Sequence, residues 1–162
     1  MTEHHEKTKY FEIGSDLNAV PGVVGQIIGM SAHLFENVYM LEVAVYEAIY
    51  NAIEHGNFEI SKEEKERMIE EGCYDSFIAS RCSGEGSVNR TVKIRSTVNE
   101  KSQTIEIEDQ GRGFDWRSEM RNVIAEQNRS PDGFNGFGIK IIASVFNILE
   151  YMTEYNILNT GY

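Results

Sequence analysis

Residues 38–57 read VYMLEVAVYEAIYNAIEHGN. Leu41, Val45, Ala48, Ile49, Ala52 and Ile53 recur at helical spacing on one arc, which predicts an amphipathic helix over about 38–55. Asn37 precedes it as an N-cap. His55-Gly56-Asn57 ends it, with Gly56 as the natural C′ residue. Glu47, Asn51 and His55 stand one turn apart and form a polar stripe beside the apolar arc. Taken singly, each of them reads first as a polar helix edge. Asn51 differs because it sits among Ala48, Ala52 and Ile53, close to the buried arc, where an amide needs a partner. A carboxylate and an amide oxygen four residues apart suit a hard cation such as Mg2+, which takes one or two protein oxygens plus phosphate and water. His55 reads as a helix-end hydrogen bonder, not a catalyst.

Upstream, residues 8–15 read as a short first strand. Asp16 then caps a helix over about 17–34, with Leu17, Val20, Val24, Ile27 and Ile28 apolar and Pro21 in the tolerant first turn. Gly22, Gly25 and Gly29 weaken that helix, so its stability must come from tertiary packing or a partner. Downstream, Ser61 and Glu64 resemble a capping box opening a short solvated helix. The acidic run after Gly56 is by default a solvated face. Residues 73–89 carry no clear periodicity. The period then changes to two: Thr91–Val98 and Thr104–Glu108 alternate about the turn Asn99–Ser102, which predicts an antiparallel hairpin. A helix at about 137–146 and a last strand at about 147–157 follow. The order βααββαβ describes an α+β fold, a two-layer sandwich with helices on one face of a mixed, mostly antiparallel sheet.

The chain has 162 residues, enough for one domain with a real core. Residues 1–162 are expected to form that single domain, with an enlarged segment at about 57–90. The net charge of −11 argues against direct nucleic-acid binding or an anionic membrane surface. It leaves room for a small anion held by backbone dipoles. No apolar run is long enough for a membrane span, and the polar N-terminus lacks the core of a signal peptide. Cys73 and Cys82 lack metal-site spacing and read as reduced thiols. A cytoplasmic protein is expected.

Two glycine-containing stretches carry the remaining chemistry. Glu108-Asp109-Gln110-Gly111-Arg112-Gly113 directly follows an apolar strand. An Asp at a strand end can accept from an exocyclic amine, and glycines let a flat ring approach the backbone. A plain turn has the same composition. The third glycine of a dinucleotide fingerprint is absent. Asn135-Gly136-Phe137-Gly138-Ile139-Lys140 opens the last helix. Free backbone N–H groups and the positive dipole end make such a start a phosphate seat. A flexible loop entering a core helix reads alike, and no Walker A lysine follows.

Together, in this order, the three stretches resemble the N box and two glycine boxes of the GHKL ATPase superfamily, which includes gyrase-type ATPases and histidine-kinase catalytic domains. Residues 47–56 look closest to the anti-sigma-factor serine/threonine protein kinases of partner-switching systems. Phe114-Asp115 and a lid segment over Asp115–Asn135 are also similar. The resemblance covers about residues 10–162 and implies the Bergerat-type ATP-binding fold. It implies Glu47 as general base and Asn51 as the Mg2+ ligand that bridges to the triphosphate. Asp109 would accept from the adenine amino group, with Gly111 and Gly113 shaping the pocket. Gly136, Phe137, Gly138 and the Ile139 amide would cradle phosphate. ATP and Mg2+ are the implied cofactors.

The resemblance further implies a kinase that phosphorylates a small antagonist protein, with a sigma factor as a further candidate partner and a homodimer as the expected assembly. The alternative is a nucleotide-binding or nucleotide-free interaction module without kinase activity. A histidine kinase is disfavoured because no phosphoacceptor helix pair precedes the domain. A gyrase-like ATPase is disfavoured by the acidic charge and the lack of a transducer domain. Residues 57–90 are longer than in compact family members. At Asn159-Thr160-Gly161-Tyr162, where the family leads into one more strand, the chain stops. The sheet is therefore expected to lack its closing strand, or to have it completed by a partner.

Overall fold

The computed structural model describes residues 6–83, 89–113, 121, 137–146, 148–151 and 156–161. Among the described residues five strands form one sheet in the order β1-β2-β3-β5-β4. They are β1 (Lys7–Gly14), β2 (Thr91–Val98), β3 (Ser102–Glu108), β4 (Ile148–Tyr151) and β5 (Asn156–Gly161). All of the pairings among them are antiparallel. The expected mixed character is thus absent among the described residues, because neighbours β2–β3 and β4–β5 are also sequential, the arrangement that hairpins favour. The β2–β3 turn is built by Asn99, whose Oδ1 accepts from the N–H groups of Lys101 and Ser102.

One last strand was expected at 147–157. Two form instead, and β4 pairs with β5 from Ile148↔Asn159 to Tyr151↔Asn156. Asn159, Thr160 and Gly161, read as the lead into an absent closing strand, themselves lie in β5, opposite Thr104, Gln103 and Ser102 of β3. That expectation is corrected: β5 sits inside the sheet, between β3 and β4.

The helices are α1 (Val20–Ser31), α2 (Val38–Asn51), α3 (Lys62–Glu70), α4 (Tyr74–Ser83) and α5 (Phe137–Val145). The expected single helix over 17–34 is α1 with a short 3-10 turn at either end, Leu17–Ala19 and Ala32–Leu34. Asp16 caps the first of these through Asn18 N–H. Asn37 caps α2 by accepting from Met40 N–H at 3.1 Å. Ser61 caps α3 through Glu64 N–H at 3.1 Å. Helix α4 falls where the sequence shows no periodicity; Ile78 is its one buried residue.

Alternation on β2 and β3 divides the sheet. Val92, Ile94, Ile105 and Ile107 are buried, while Lys93 and Arg95 lie outside. Arg95 pairs with Glu106 across the outer face. The buried side meets Val20, Val24 and Ile27 of α1, Leu41, Val45 and Ile49 of α2, and Ile142 of α5. Each such side chain, fully withdrawn from water, contributes about 1.5–3 kcal/mol. A linked set of polar groups enters this core: Gln103, fully buried like Ser31 and Ser96, accepts from Ser31 Oγ at 2.7 Å and donates to Ser96 Oγ at 3.1 Å. The amide is satisfied, so its burial is tolerated. The exposed glycines of α1 (Gly22, Gly25 and Gly29) have open space where a Cβ would stand. Among the described residues no helix is long and apolar enough to cross a membrane.

Candidate functional site

Helix α2 does not stop at Gly56 as the sequence suggests. It runs on into a π-helical turn, Ala52–Asn57, in which Phe58 N–H reaches Ile53 C=O at 2.8 Å, five residues back. Gly56 is not in the left-handed region; among the described glycines only Gly72 and Gly113 are. Its need for glycine lies across space. A Cβ on Gly56 would stand 2.4 Å from Asp109 Cγ. His55 does act at the helix end: its Nδ1 meets Ile60 C=O at 2.6 Å.

Two clusters flank this turn. In the first, Glu47 and Asn51 of α2 face the start of α5. A Cβ on Gly138 would lie 2.7 Å from Glu47 Oε2 and 3.5 Å from Asn51 Nδ2. Absence of a side chain at Gly138 therefore keeps a carboxylate and an amide beside the first turn of a helix, where backbone N–H groups have no intrahelical acceptor. Ile139 follows, partly buried. Phe137 opens α5, and Gly136 and the Asp115–Asn135 lid lie outside the described residues, residue 121 aside.

The second cluster follows β3. Asp109 Oδ1 accepts from Gly111 N–H at 2.9 Å. Gly111 itself packs on the π turn: its Cβ would fall 2.3 Å from the Gly56 carbonyl oxygen. Gly113 has φ +73°, a conformation that favours glycine. We expect Gly111→Ala to cost about 1–3 kcal/mol, because the obstacle is backbone and cannot swing aside. Urea unfolding of the two proteins measures it, and an unchanged midpoint would remove this contact from the fold.

Asn57 holds the two clusters together, and the sequence reading missed it. It is fully buried; its Oδ1 accepts from Gln110 N–H at 2.8 Å. Its Nδ2 donates to Ser15 Oγ at 2.9 Å and Thr91 C=O at 3.1 Å. Arg90 donates to Asn57 C=O at 2.8 Å and to Glu59 Oε1 at 2.9 Å. In sequence Asn57 looks like one more turn former after a glycine, since its partners lie far along the chain.

Electrostatics separate the two carboxyl groups from ordinary surface acids. Burial pushes the proton affinity of Glu47 up; the Lys65 ammonium partly offsets this, and the Glu54 carboxylate adds to it. Burial likewise raises Asp109, against the Gly111 N–H and the Arg90 charge. Glu54, on the π turn, is only 4% exposed and is held by Lys65 and Tyr74. Burial and the bond to Glu54 raise the Tyr74 phenol well above its usual range.

The arrangement fits the groups that the sequence expectation named. Gly56 and Gly111 let the π turn pack directly on Asp109 and on the loop after β3, which fixes an acceptor carboxylate at a strand end, as an exocyclic amine requires. Asn51 brings a side-chain amide beside a helix N-terminus, and the oxygen of such an amide is a donor that Mg2+ on a phosphate chain accepts. Among the described residues no three His, Cys, Asp or Glu side chains gather as a metal centre of their own.

Compared with known families, the chain matches the model of the histidine kinase-like ATPase domain over residues 23–160. That span is most of the chain and contains both clusters. No curated protein matches the chain.

Proposed function

The chain belongs to the histidine kinase-like ATPase domain family, and from that premise we propose an ATP-dependent protein serine/threonine kinase of the anti-sigma, partner-switching kind. Its substrate would be a small antagonist protein bearing a Ser or Thr, and a sigma factor its sequestered partner. The observation that carries this reading is the convergence of Glu47 and Asn51 on the Gly138 backbone, one π turn away from Asp109. A nucleotide that placed its base at Asp109 would have its phosphates toward a helix start, a metal-binding amide and a carboxylate.

Each residue then has a task. Asp109 accepts from the adenine amino group, and the close packing of Gly56 and Gly111 holds its carboxylate in place. The first N–H groups of α5 hold phosphate oxygens. Asn51 Oδ1 would hold Mg2+, and the metal when bound would neutralise charge on the triphosphate. Glu47 takes the proton of the attacking hydroxyl as its oxygen bonds to the γ-phosphorus and the bond to the bridging oxygen breaks, releasing ADP. Its raised proton affinity suits that task, since a base works best with a pKa nearer the working pH. Most of the rate enhancement comes from positioning and electrostatics.

The test is calorimetry of MgATP and MgADP on the purified protein, followed by transfer of labelled γ-phosphate to a Ser/Thr-bearing antagonist. Binding with transfer is the expected result. Binding without transfer to any antagonist would leave a nucleotide-binding interaction module, and no binding at all would remove the nucleotide from the reading.

A further inference from the structure

The segment between the π turn and β2 takes no part in the chemistry above, yet it supplies both partners of the one buried carboxylate on that turn. Lys65 of α3 donates to Glu54 Oε2, and Tyr74 of α4 donates through its hydroxyl to Glu54 Oε1. The Lys65 ammonium also sits over the Tyr74 ring, 5.4 Å from its centroid. Each Glu54 oxygen thus has its own donor, and the two donors are in contact with each other. Charge-assisted bonds to a buried carboxylate are among the strong ones, and removing one partner leaves charge buried without compensation.

The position of this post matters more than its strength. Glu54 lies between Asn51, which faces Gly138, and Gly56, which packs on Asp109. The far end of the same turn is tied by Asn57 to Gln110, Ser15 and Thr91. A π turn has poorer intrinsic geometry than an α turn and occurs mostly as a short interruption near functional sites, so its surroundings must hold it. Here they do so at Glu54, His55 and Asn57, and the Glu54 point is made entirely by α3 and α4. Lys65 and Glu54 are also close enough for their charges to act on Glu47.

We propose that Lys65 and Tyr74 are positioning residues that act through the Glu54 carboxylate to hold the π turn, and so set the spacing between the Asn51–Glu47 cluster and the Asp109 cluster. This rests on the nucleotide reading given above. A ligand that spans both clusters depends on that spacing, whereas a ligand confined to the Asp109 cluster does not.

The experiment compares MgATP, which would span both clusters, with adenosine, which would occupy one, by ligand-detected NMR titration. The proteins are wild type, Tyr74→Phe, Lys65→Met and Lys65→Arg, each with its melting temperature. Tyr74→Phe removes one hydroxyl and keeps the ring under Lys65. We expect Tyr74→Phe and Lys65→Met to weaken MgATP by about tenfold, the range seen when supporting partners of a ligand set are removed. Adenosine affinity should stay within twofold, and Lys65→Arg should recover most of the MgATP affinity. A merely structural role lowers the melting temperature and leaves the ratio of the two affinities as in wild type; that result overturns the proposal. Should Lys65→Met fail to fold, Tyr74→Phe decides alone. Failure of wild type to bind either ligand would instead sink the nucleotide reading, and the two failures are thereby distinguishable.

Discussion

Glu47→Gln is expected to bind MgATP as the wild type does and to transfer phosphate about 10²–10⁴-fold more slowly, the usual contribution of a positioned general base. The substitution keeps the shape of the side chain and its place beside Gly138, so the seat at the start of α5 is preserved. Only the ability to accept a proton is lost. The pH profile gives a second check. Burial holds the Glu47 carboxyl above the usual carboxylate range, with Lys65 pulling back and Glu54 adding to the rise. Below its pKa the group carries a proton and cannot take another, so transfer should fall on acidification with a limb set higher than an ordinary glutamate would give. Wild-type turnover by Glu47→Gln, or an acid limb that survives unchanged in the variant, would assign the base elsewhere.

Asp109→Asn is expected to weaken ATP by about 10- to 150-fold, the equivalent of the roughly 1.5–3 kcal/mol that a hydrogen bond to a charged group contributes. The fold should not suffer. Burial raises the Asp109 carboxyl, more than the Gly111 N–H and Arg90 lower it. A carboxyl whose folded pKa is raised favours the fold while protonated, and that contribution is lost as pH rises through the folded value. At neutral pH the ionised Asp109 is therefore a cost to stability, and an amide in its place carries none. Melting temperatures across pH should show the variant equal to wild type in acid and no lower at neutrality. Unchanged ATP affinity would place the adenine contact elsewhere; a collapsed melting temperature at neutral pH would make Asp109 structural.

The two results differ in kind because the residues stand on different supports. Glu47 projects from a continuous helix whose apolar arc was readable from Leu41 to Ile53. Asp109 ends a strand whose alternation was equally plain. What was local could be read: the β2–β3 hairpin, the Asn37 and Ser61 caps and the helical spacing of Glu47 and Asn51 all depend on neighbours within a few residues. Gly56 was misread because its reason for being glycine is Asp109, far along the chain, and a glycine after a helix has a simpler local meaning. The same holds of Asn57, whose partners also lie far along the chain. Helix α4, with one buried side chain, leaves no periodic trace in the sequence. Its Tyr74 matters through Glu54, a contact no spacing rule encodes. At the C-terminal end the stretch 152–155, between β4 and β5, carries neither glycine nor proline to mark a boundary between two strands.

The π turn also changes which way α2 points its residues. Successive residues of an α-helix are about 100° apart in azimuth, so in an uninterrupted helix Gly56 would stand about 180° from Glu47 and about 140° from Asn51. A wider turn delays the phase by about one residue, which brings Gly56 to about 80° from Glu47 and about 40° from Asn51. One rod can then present its carboxylate and amide to α5 and its bare glycine to Asp109 from nearly the same side. Without that lag, Gly56 would face away from Glu47 across the helix, and the two clusters would be turned from each other.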